Sequence, residues 1–155
     1  MKLRAYIFDD NEIVRTLLQQ VLRERGYEVF AFSQPDLCPL HKDGKCACPD
    51  GCACGDIILS DLKMPIVNGL EFLQRQRAKG CRLKFIALMS GAWTMDALLM
   101  AKLLDCKVFH KPFTIAEVNA WLDECEKQID PKRCIFHFSI DHFKNPPIDP
   151  SHKIA

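Results

Sequence analysis

Several charged or hydroxyl side chains follow directly after short apolar segments of the sequence. They are two adjacent aspartates, a third aspartate, a serine and a lysine: Asp9, Asp10, Asp61, Ser90 and Lys111. Three carboxylates gathered at one place repel each other unless a cation joins them. Mg²⁺ suits such a group because it binds hard oxygen ligands. An aspartate neutralised in this way can attack phosphorus, and an ammonium and a hydroxyl can stabilise the transferred charge.

The apolar segments that must position these residues alternate with helical patterns. Strands are predicted over residues 3–8, 28–32, 56–60, 84–89 and 107–109. Helices are predicted after a cap at Asn11 and up to Gly26, over residues 70–78 and 94–104, and from a cap at Thr114 to Ile129. Continuous apolar strands that alternate with helices favour a parallel sheet covered on both faces. The predicted fold class is therefore α/β, a doubly wound sheet of five strands with the polar residues at its carboxyl edge.

Length, charge and hydropathy exclude several classes of protein. The chain has 155 residues and a formal net charge of +1, which argues against broad electrostatic binding of nucleic acid. No apolar run approaches the roughly 18 residues that a membrane-spanning helix needs. Acidic residues follow the first strand too soon for a secretory signal. We therefore expect one cytoplasmic domain over residues 1–130 and a tail over 131–155, with no separate effector domain, no direct contact with nucleic acid and no membrane contact.

Four motifs together resemble the receiver domain of two-component response regulators, over roughly residues 1–130. The motifs are IFDDNE (7–12), DLKMPIVNG (61–69), ALMSG (87–91) and FHKPF (109–113). The resemblance implies the flavodoxin-like receiver fold with five strands. It also implies a phosphoacceptor signalling domain rather than an enzyme, with no chemistry beyond its own phosphorylation and dephosphorylation.

The resemblance assigns a role to each polar residue at the predicted edge. Asp61 would accept a phosphoryl group from a histidine kinase or a phosphotransfer protein. Ser90 would then bind that group, and Lys111 would pair with it. The Mg²⁺ ligands would be Asp9, Asp10, Asp61 and the backbone carbonyl of Lys63. A downstream protein would read the change on the helix over 94–104, the strand over 107–109 and the final helix, and the chain would act as a monomer or a weak homodimer.

One position departs from the family pattern. Response regulators usually carry a tyrosine or phenylalanine three residues before the lysine, and this chain has Val108 there. The neighbouring Phe109 is aromatic, but strand alternation directs its side chain to the opposite face of the sheet. The chain therefore lacks an aromatic residue at the usual switch position.

Cysteines form a second concentration of reactive groups. Five of the nine lie between Cys38 and Cys54, in a Cys-rich insertion over residues 34–55 that is predicted to replace the second helix. The predicted ligands of a metal, Zn²⁺ or less favourably an iron–sulfur cluster, are Cys46, Cys48, Cys52 and Cys54, with Cys38 or His41 able to replace one. A thiol redox segment, and a loop of reduced thiols or adventitious disulfides, are the alternatives. The scattered Cys81, Cys106 and Cys125 are predicted to be small core residues.

Other interpretations of the whole chain stay open. A Mg²⁺-dependent phosphatase of the haloacid dehalogenase type also uses an aspartate nucleophile, but in an Asp-x-Asp pattern after the first strand that Asp9 and Asn11 do not match. A receiver-like scaffold could instead respond to metal or redox state. The tail alternates apolar and polar residues over 134–141, which predicts a strand that covers its own domain or an arm that pairs with a second protomer.

Overall fold

A parallel sheet forms the centre of the computed structural model, which describes residues 1–35, 48–65 and 67–136. The strands are β1 (Leu3–Phe8), β2 (Tyr27–Phe32), β3 (Cys52–Ala53), β4 (Ile57–Asp61), β5 (Phe85–Ser90), β6 (Lys107–His110) and β7 (Cys134–Ile135). The helices within those ranges are α1 (Glu12–Glu24), α2 (Gly69–Ala78), α3 (Met95–Leu103) and α4 (Ile115–Gln128). Five strands build the main sheet in the order β2-β1-β4-β5-β6, and each pairs with its neighbour in parallel. The α/β fold class predicted from the sequence is confirmed.

Burial of the strands explains why the sequence forms this sheet. Every residue of β1 and of β4 is buried, as expected for central strands that helices cover on both faces. On one face, side chains of the sheet pack with α1 and α4, as the cluster around Ile7, Leu22 and Leu122 shows. On the other face, Phe8 and Leu88 pack with Phe72 of α2 and with part of α3. The two faces hold the sheet rigid, and the residues at its ends are fixed with it.

The helices begin at the carboxyl edge of the sheet, each behind a polar cap. The side chains of Asn11, Asn68, Thr94 and Thr114 accept hydrogen bonds from backbone N–H groups in the first turns of α1, α2, α3 and α4. At Thr114 the bond is reciprocated, because Glu117 accepts from the backbone N–H of Thr114. The caps that the sequence predicts at Asn11 and Thr114 are therefore present. Each cap fixes the loop that carries a polar residue away from the sheet.

The amino edge of the sheet is closed by the end of the described chain. There β7 pairs in parallel with β3, and a disulfide joins Cys52 to Cys134. Beside it, Arg133 donates from two nitrogens to the carboxylate of Asp56, which also accepts from the backbone N–H of Arg4 at 2.9 Å. Residues 134–135 therefore cover their own domain, and the rest of the strand predicted over 134–141 lies outside the described residues from 137 onward.

Part of the predicted Cys-rich insertion lies outside the described residues. The part outside contains Cys38, His41 and Cys46. It also contains most of the region in which a loop is predicted in place of the second helix. The replacement of that helix stays a prediction. Across the described ranges, no helix has both the length and the apolar character needed to cross a membrane.

Candidate functional site

Adjacent central strands bring the three predicted carboxylates together. Asp9 and Asp10 follow β1, and Asp61 ends β4, which pairs with β1. One carboxylate oxygen from each of these aspartates lies within 4.8 Å of those of the other two. In a doubly wound sheet this place, where connections leave in opposite directions, is where ligands bind. The site predicted from the sequence thus exists as a geometric cluster.

Asp9 is the most constrained of the three carboxylates. It is fully buried, and both of its oxygens have partners. Oδ1 accepts from the backbone N–H of Asn11 at 2.8 Å, and Oδ2 lies 3.0 Å from Nζ of Lys111. Arg15 donates to the backbone oxygen of Asp9 at 2.7 Å, which fixes the peptide as well. Asp9 is therefore held in place as a partner of the lysine.

Asp61 is buried but less well satisfied. Its Oδ1 accepts from the backbone N–H of Lys63 at 3.4 Å, and its Oδ2 lies 3.5 Å from Nζ of Lys111, both long for hydrogen bonds. Burial, first, and the nearby Asp9 carboxylate together raise the pKa of Asp61 to about 6, although Lys111 opposes both effects. A carboxylate with weak partners and an unfavourable charge is the one best placed to react with an electrophile.

The donor set of this cluster fits Mg²⁺. Asp10 is exposed and completes a group of three oxygens. Within the described ranges, Lys111 supplies the ammonium that contacts this group, through Asp9 and Asp61. The single positive charge of Lys111 is smaller than the negative charge of three ionised carboxylates. A hard divalent cation would balance the excess negative charge. Lys63 directs its backbone N–H to Asp61, and the role of its carbonyl as a ligand stays a prediction.

Ser90 and Lys111 reach the cluster from the next two strands. Ser90 ends β5 and is buried, and its Oγ accepts from the backbone N–H of Ala92 at 3.1 Å. The backbone N–H of Lys111 donates to the backbone oxygen of Ser90 at 2.8 Å, which links the end of β5 to the loop after β6. All five predicted polar residues therefore stand at one edge of the sheet.

One residue that supports the site was not predicted from the sequence. Arg15, which donates to the backbone oxygen of Asp9, lies one helical turn after the cap and belongs to no motif. Gly69 is part of the motif over residues 61–69, and the structure gives the reason for it, because a Cβ there would overlap the backbone oxygen of Asp61. A glycine that follows the third aspartate by eight residues is therefore required for the first turn of α2 to pass close to Asp61.

Val108, three residues before Lys111, and Phe109 lie on opposite faces of the sheet, as strand alternation predicts. Phe109 packs in the cluster with α1 and α4, whereas Val108 packs on the other face, near α2 and α3. Trp93 also lies on that second face, and its indole N–H donates to the backbone oxygen of Phe109 at 3.1 Å. An aromatic side chain from the loop after Ser90 thus contacts β6 on the face where the strand carries Val108, and its ring also lies edge-on to His110.

The predicted four-cysteine metal site is wrong for one of its ligands. Metal binding requires a free thiolate, and Cys52 is bonded to Cys134. Cys54 is buried in the apolar cluster on the α2 side of the sheet, and Cys48 packs against that cluster. Among the described residues, only Asp9, Asp10 and Asp61 form a group of three or more potential metal ligands. Cys46, Cys38 and His41 lie outside those residues.

Comparison with known proteins adds independent information. Residues 5–123 match the response regulator receiver domain. Sporulation initiation phosphotransferase F of Bacillus subtilis is 28% identical over 122 residues, which cover 77% of this chain and 90% of that protein. The alkaline phosphatase synthesis transcriptional regulatory protein PhoP of Bacillus subtilis is 28% identical over 120 residues, covering 77% of this chain and 47% of that protein. The chain thus spans about half the length of the curated transcriptional regulators that it matches.

A solved structure agrees on the fold. The chemotaxis protein CheY4 of Vibrio cholerae superposes with a TM-score of 0.65 at 21% identity. The superposition covers 81% of this chain and 99% of that one. At this level of identity, the likeness concerns the arrangement of strands and helices.

Proposed function

The chain belongs to the response regulator receiver domain family, and from that premise we propose that it is a signalling protein that accepts a phosphoryl group on Asp61. The donor would be a phosphohistidine on a histidine kinase or a phosphotransfer protein. An oxygen of Asp61 attacks the phosphorus, and the bond from phosphorus to the histidine nitrogen breaks. The products are an acyl phosphate on Asp61 and a free histidine, which takes up a proton.

One observation carries this proposal more than any other. Nζ of Lys111 lies 3.0 Å from Asp9 and 3.5 Å from Asp61, so one ammonium serves two carboxylates. A phosphoryl group on Asp61 would add negative charge beside that ammonium, where a charge-assisted contact is strong. The lysine is therefore placed both to bind the product and to report its presence.

The contacts of the two buried aspartates favour Asp61 over Asp9 as the nucleophile. Asp9 has short bonds on both oxygens, whereas both partners of Asp61 are at 3.4 Å or more. A phosphatase of the haloacid dehalogenase type would need the residue after β1 to attack. The short contacts of Asp9 favour an anchoring role for it, which supports a phosphoacceptor domain rather than this class of enzyme.

Mg²⁺ is the proposed cofactor, held by Asp9, Asp10, Asp61 and the backbone carbonyl of Lys63. When bound, the ion would neutralise the carboxylates and reduce the repulsion between Asp61 and an incoming phosphoryl group. The protein's own contribution is to hold Asp9 in place through Asn11 and Lys111. Of the two buried carboxylates, that arrangement leaves Asp61 with the longer contacts.

Phosphorylation would act by shifting a balance between two conformations. Ser90 Oγ would leave the N–H of Ala92 and donate to the phosphoryl group, and Lys111 would pair with it. Moving such a balance from 1:99 to 99:1 takes about 5.5 kcal/mol, which two charge-assisted contacts in a buried site can supply. Since Lys111 is bonded to Ser90 through the backbone, the two loops would move together.

A surface next to these loops is suited to a downstream protein. The exposed apolar side chains of α3 are Met95, Leu99 and Leu103, with exposed fractions of 82%, 57% and 71%. They are four residues apart, so they form one stripe along the helix. The stripe begins five residues after Ser90, within reach of a movement in that loop.

The test is phosphorylation of the purified chain by acetyl phosphate with Mg²⁺, followed by intact mass measurement. One phosphoryl group per chain is expected, and Asp61→Asn should abolish it. Asp105→Asn is the matched control, because it also replaces an aspartate by asparagine and its positive φ is one that asparagine tolerates. It should be phosphorylated like the wild type.

Two results would overturn the proposal. The first is an unphosphorylated wild type under conditions in which a known receiver domain is phosphorylated. The second is hydrolysis of acetyl phosphate that survives Asp61→Asn and is lost in Asp9→Asn, which would identify a phosphatase instead.

A further inference from the structure

A cavity of about 290 Å³ lies at the amino edge of the sheet, at the opposite end of β4 from Asp61. The five residue steps from Asp56 to Asp61 span about 16 Å in an extended strand, so the cavity is separate from the carboxylate cluster. Its volume is close to the lower limit of about 300 Å³ for small-molecule pockets, which suits a ligand of one or two rings. Three stretches of the chain supply its walls: residues 51–56, 82–85 and 128–135.

The walls of the cavity are joined to one another. The disulfide between Cys52 and Cys134 links the first stretch to the third. Just beyond the lining residues, the backbone N–H of Phe136 donates to the backbone oxygen of Ala53 at 2.8 Å. Ile129, which follows α4, is buried in the main core and fixes the third stretch at its other end. A cavity with walls held in this way is formed before a ligand arrives, which lowers the cost of binding.

The interior of the cavity is largely apolar. Phe85, Ile129 and Ile135 line it, together with the disulfide. The buried charges in its wall are already paired, because Arg133 donates from two nitrogens to the carboxylate of Asp56. These charges would gain little from a ligand. The interior therefore favours an apolar ring, whose burial would be the main source of binding free energy.

Basic side chains stand at the mouth of the cavity. Arg82 and Lys84 line it and are exposed. Nζ of Lys84 lies 5.1 Å from the centre of the Phe85 ring, so a positive charge borders the apolar surface directly. Both residues belong to a segment over residues 75–84 that contains five basic residues and no acidic one. The mouth is therefore suited to a negatively charged group.

Two aspartates near the mouth weaken this positive charge without removing it. Asp50 contacts Arg82 at 3.4 Å, but both side chains are exposed, and such pairs are weak. Asp130 lines the cavity, and its Oδ1 accepts from the backbone N–H of Lys132 at 2.9 Å. Across the described ranges Lys84 takes part in no ion pair, so an anion can approach its ammonium without displacing a carboxylate.

We propose that this cavity binds a small organic anion that has an apolar ring and one carboxylate. The ring lies against Phe85 and Ile135, and the carboxylate pairs with Lys84 and, more weakly, with Arg82. The site would give the chain a second input, and the inference does not depend on phosphorylation of Asp61. A bound ligand would contact the start of β5 and the residues after α4 at once, and so would hold them together.

The test compares three probes that share a ring system and differ in charge: 1-naphthoate, 1-naphthalenemethanol and 1-naphthylmethylammonium. Each is titrated at pH 7 into the isotope-labelled full chain, and amide chemical shifts report binding. The amides of Ala53, Phe85 and Ile135 should shift, while that of Ser90 should not. For a ligand of this size, naphthoate should bind with a Kd of about 1 mM or below. The alcohol should bind about fivefold more weakly, and the ammonium more weakly still.

Charge variants at the mouth leave the core unchanged, because both side chains are exposed. Replacing both cations, in Arg82→Gln with Lys84→Gln, should abolish the preference for naphthoate over the alcohol. The affinity for the alcohol should stay within about twofold of the wild type, since the apolar interior is intact. Lys79→Gln is the matched control. It removes a positive charge from the same basic segment at a residue that does not line the cavity, and it should leave the preference unchanged.

Four results would overturn the proposal. One is the absence of shifts at the cavity amides at naphthoate concentrations well above the expected Kd. Another is equal affinity for all three probes, which would show adsorption of an apolar ring alone. The third is a preference for the ammonium, and the fourth is a preference for naphthoate that survives in the double variant. Phosphorylation is measured separately by mass, so each of these results would leave the phosphoacceptor role intact.

Discussion

The two ends of strand β4 carry aspartates in opposite circumstances. Asp56, just before the strand, accepts hydrogen bonds from two side-chain nitrogens of Arg133 and from the backbone N–H of Arg4. Asp61, at the end of the same strand, has a distant N–H and an ammonium that it shares with Asp9. One carboxylate is saturated with donors and the other is left short of them. The difference separates an aspartate that holds the fold together from one that is ready for chemistry.

The same contrast extends to the two edges of the sheet. At the amino edge, the disulfide between Cys52 and Cys134 and the buried Arg4 tie three separate segments of the chain together. At the carboxyl edge, three carboxylates meet, and Lys111 is the lysine that contacts them in the described part of the chain. Receiver chemistry needs the arrangement at the carboxyl edge. Carboxylates that are already fully paired with donors would gain little by binding a cation or a phosphoryl group.

Removing the arginine at the amino edge should have the largest effect on stability. Arg133→Ala would leave the buried Asp56 carboxylate without its ionic partner, and we expect a loss of about 3–5 kcal/mol in the free energy of unfolding. Urea denaturation measures this loss. Arg82→Ala is the control, since the contact of Arg82 with Asp50 is exposed and 3.4 Å long.

Phosphorylation of the folded Arg133→Ala protein should remain normal. If this variant were as stable as Arg82→Ala, the amino edge would not have the structural role assigned to it.

Opening the disulfide should have the next largest effect. We expect Cys134→Ser to lower the free energy of unfolding by about 2–4 kcal/mol, because the bond restricts the unfolded chain. Urea denaturation with and without dithiothreitol is the measurement. The reductant should bring the wild type down to the variant and leave the variant unchanged. A wild type that is insensitive to the reductant would contradict the prediction.

Changing the aspartate at the carboxyl edge should have a smaller effect, and in the opposite direction. In the folded chain the pKa of Asp61 is about 6, above its unfolded value of about 3.9. The folded state therefore binds the proton more tightly, and the contribution of Asp61 to stability is lost as the pH rises from about 4 to above 6.

At pH 7, Asp61→Asn should therefore stabilise the metal-free protein, by about 1–2 kcal/mol after allowance for solvent screening. Thermal unfolding in EDTA from pH 4 to pH 8 should show a steeper decline for the wild type than for Asp61→Asn. Asp105→Asn should follow the wild type. Parallel curves for all three proteins would show that the carboxyl edge carries no electrostatic strain.

The smallest expected effect is spectroscopic. Trp93 bonds to β6 beside the Ser90 loop, whereas Trp121 lies in α4 and packs against Phe109. Movement of Ser90 toward a phosphoryl group should change the fluorescence of Trp93 when acetyl phosphate and Mg²⁺ are added. In Trp93→Phe the remaining signal from Trp121 should stay constant. An unchanged signal in the wild type, at full phosphorylation by mass, would exclude Trp93 as a reporter of this loop.

Much of the carboxyl edge could be predicted from the sequence, because local patterns determine it. Apolar runs indicated the five main strands to within a residue or two at each end, and Asn11 and Thr114 marked the start of their helices. The parallel arrangement then required the polar residues after those strands to share one edge. No long-range pairing had to be guessed for this part of the molecule.

The amino edge could not be predicted in the same way. Strands β3 and β7 have two residues each, too few for any periodicity. The partner of Cys52 lies 82 residues away, and cysteine spacing cannot reveal such a connection. Because spacing shows only local neighbours, the dense cysteines suggested a local metal site. In the structure Cys52 is bonded to Cys134, and the backbone oxygen of Cys54 accepts from the hydroxyl of Tyr6. Asp56 was predicted as part of a strand, with no sign of its two arginine neighbours.

The attachment of the chain after α4 has a mechanical consequence. The C-terminal end of this helix is followed within a few residues by Arg133 and Cys134, which are bonded to Asp56 and Cys52. Its first turn follows Lys111 with only a short loop between them. A helix of 14 residues is about 21 Å long. If α4 tilts slightly about its tethered C-terminal end, its N-terminal end moves several times further than the turn next to the tether. Any displacement of α4 that begins at Lys111 should therefore be greatest near Thr114 and vanish near Ile129.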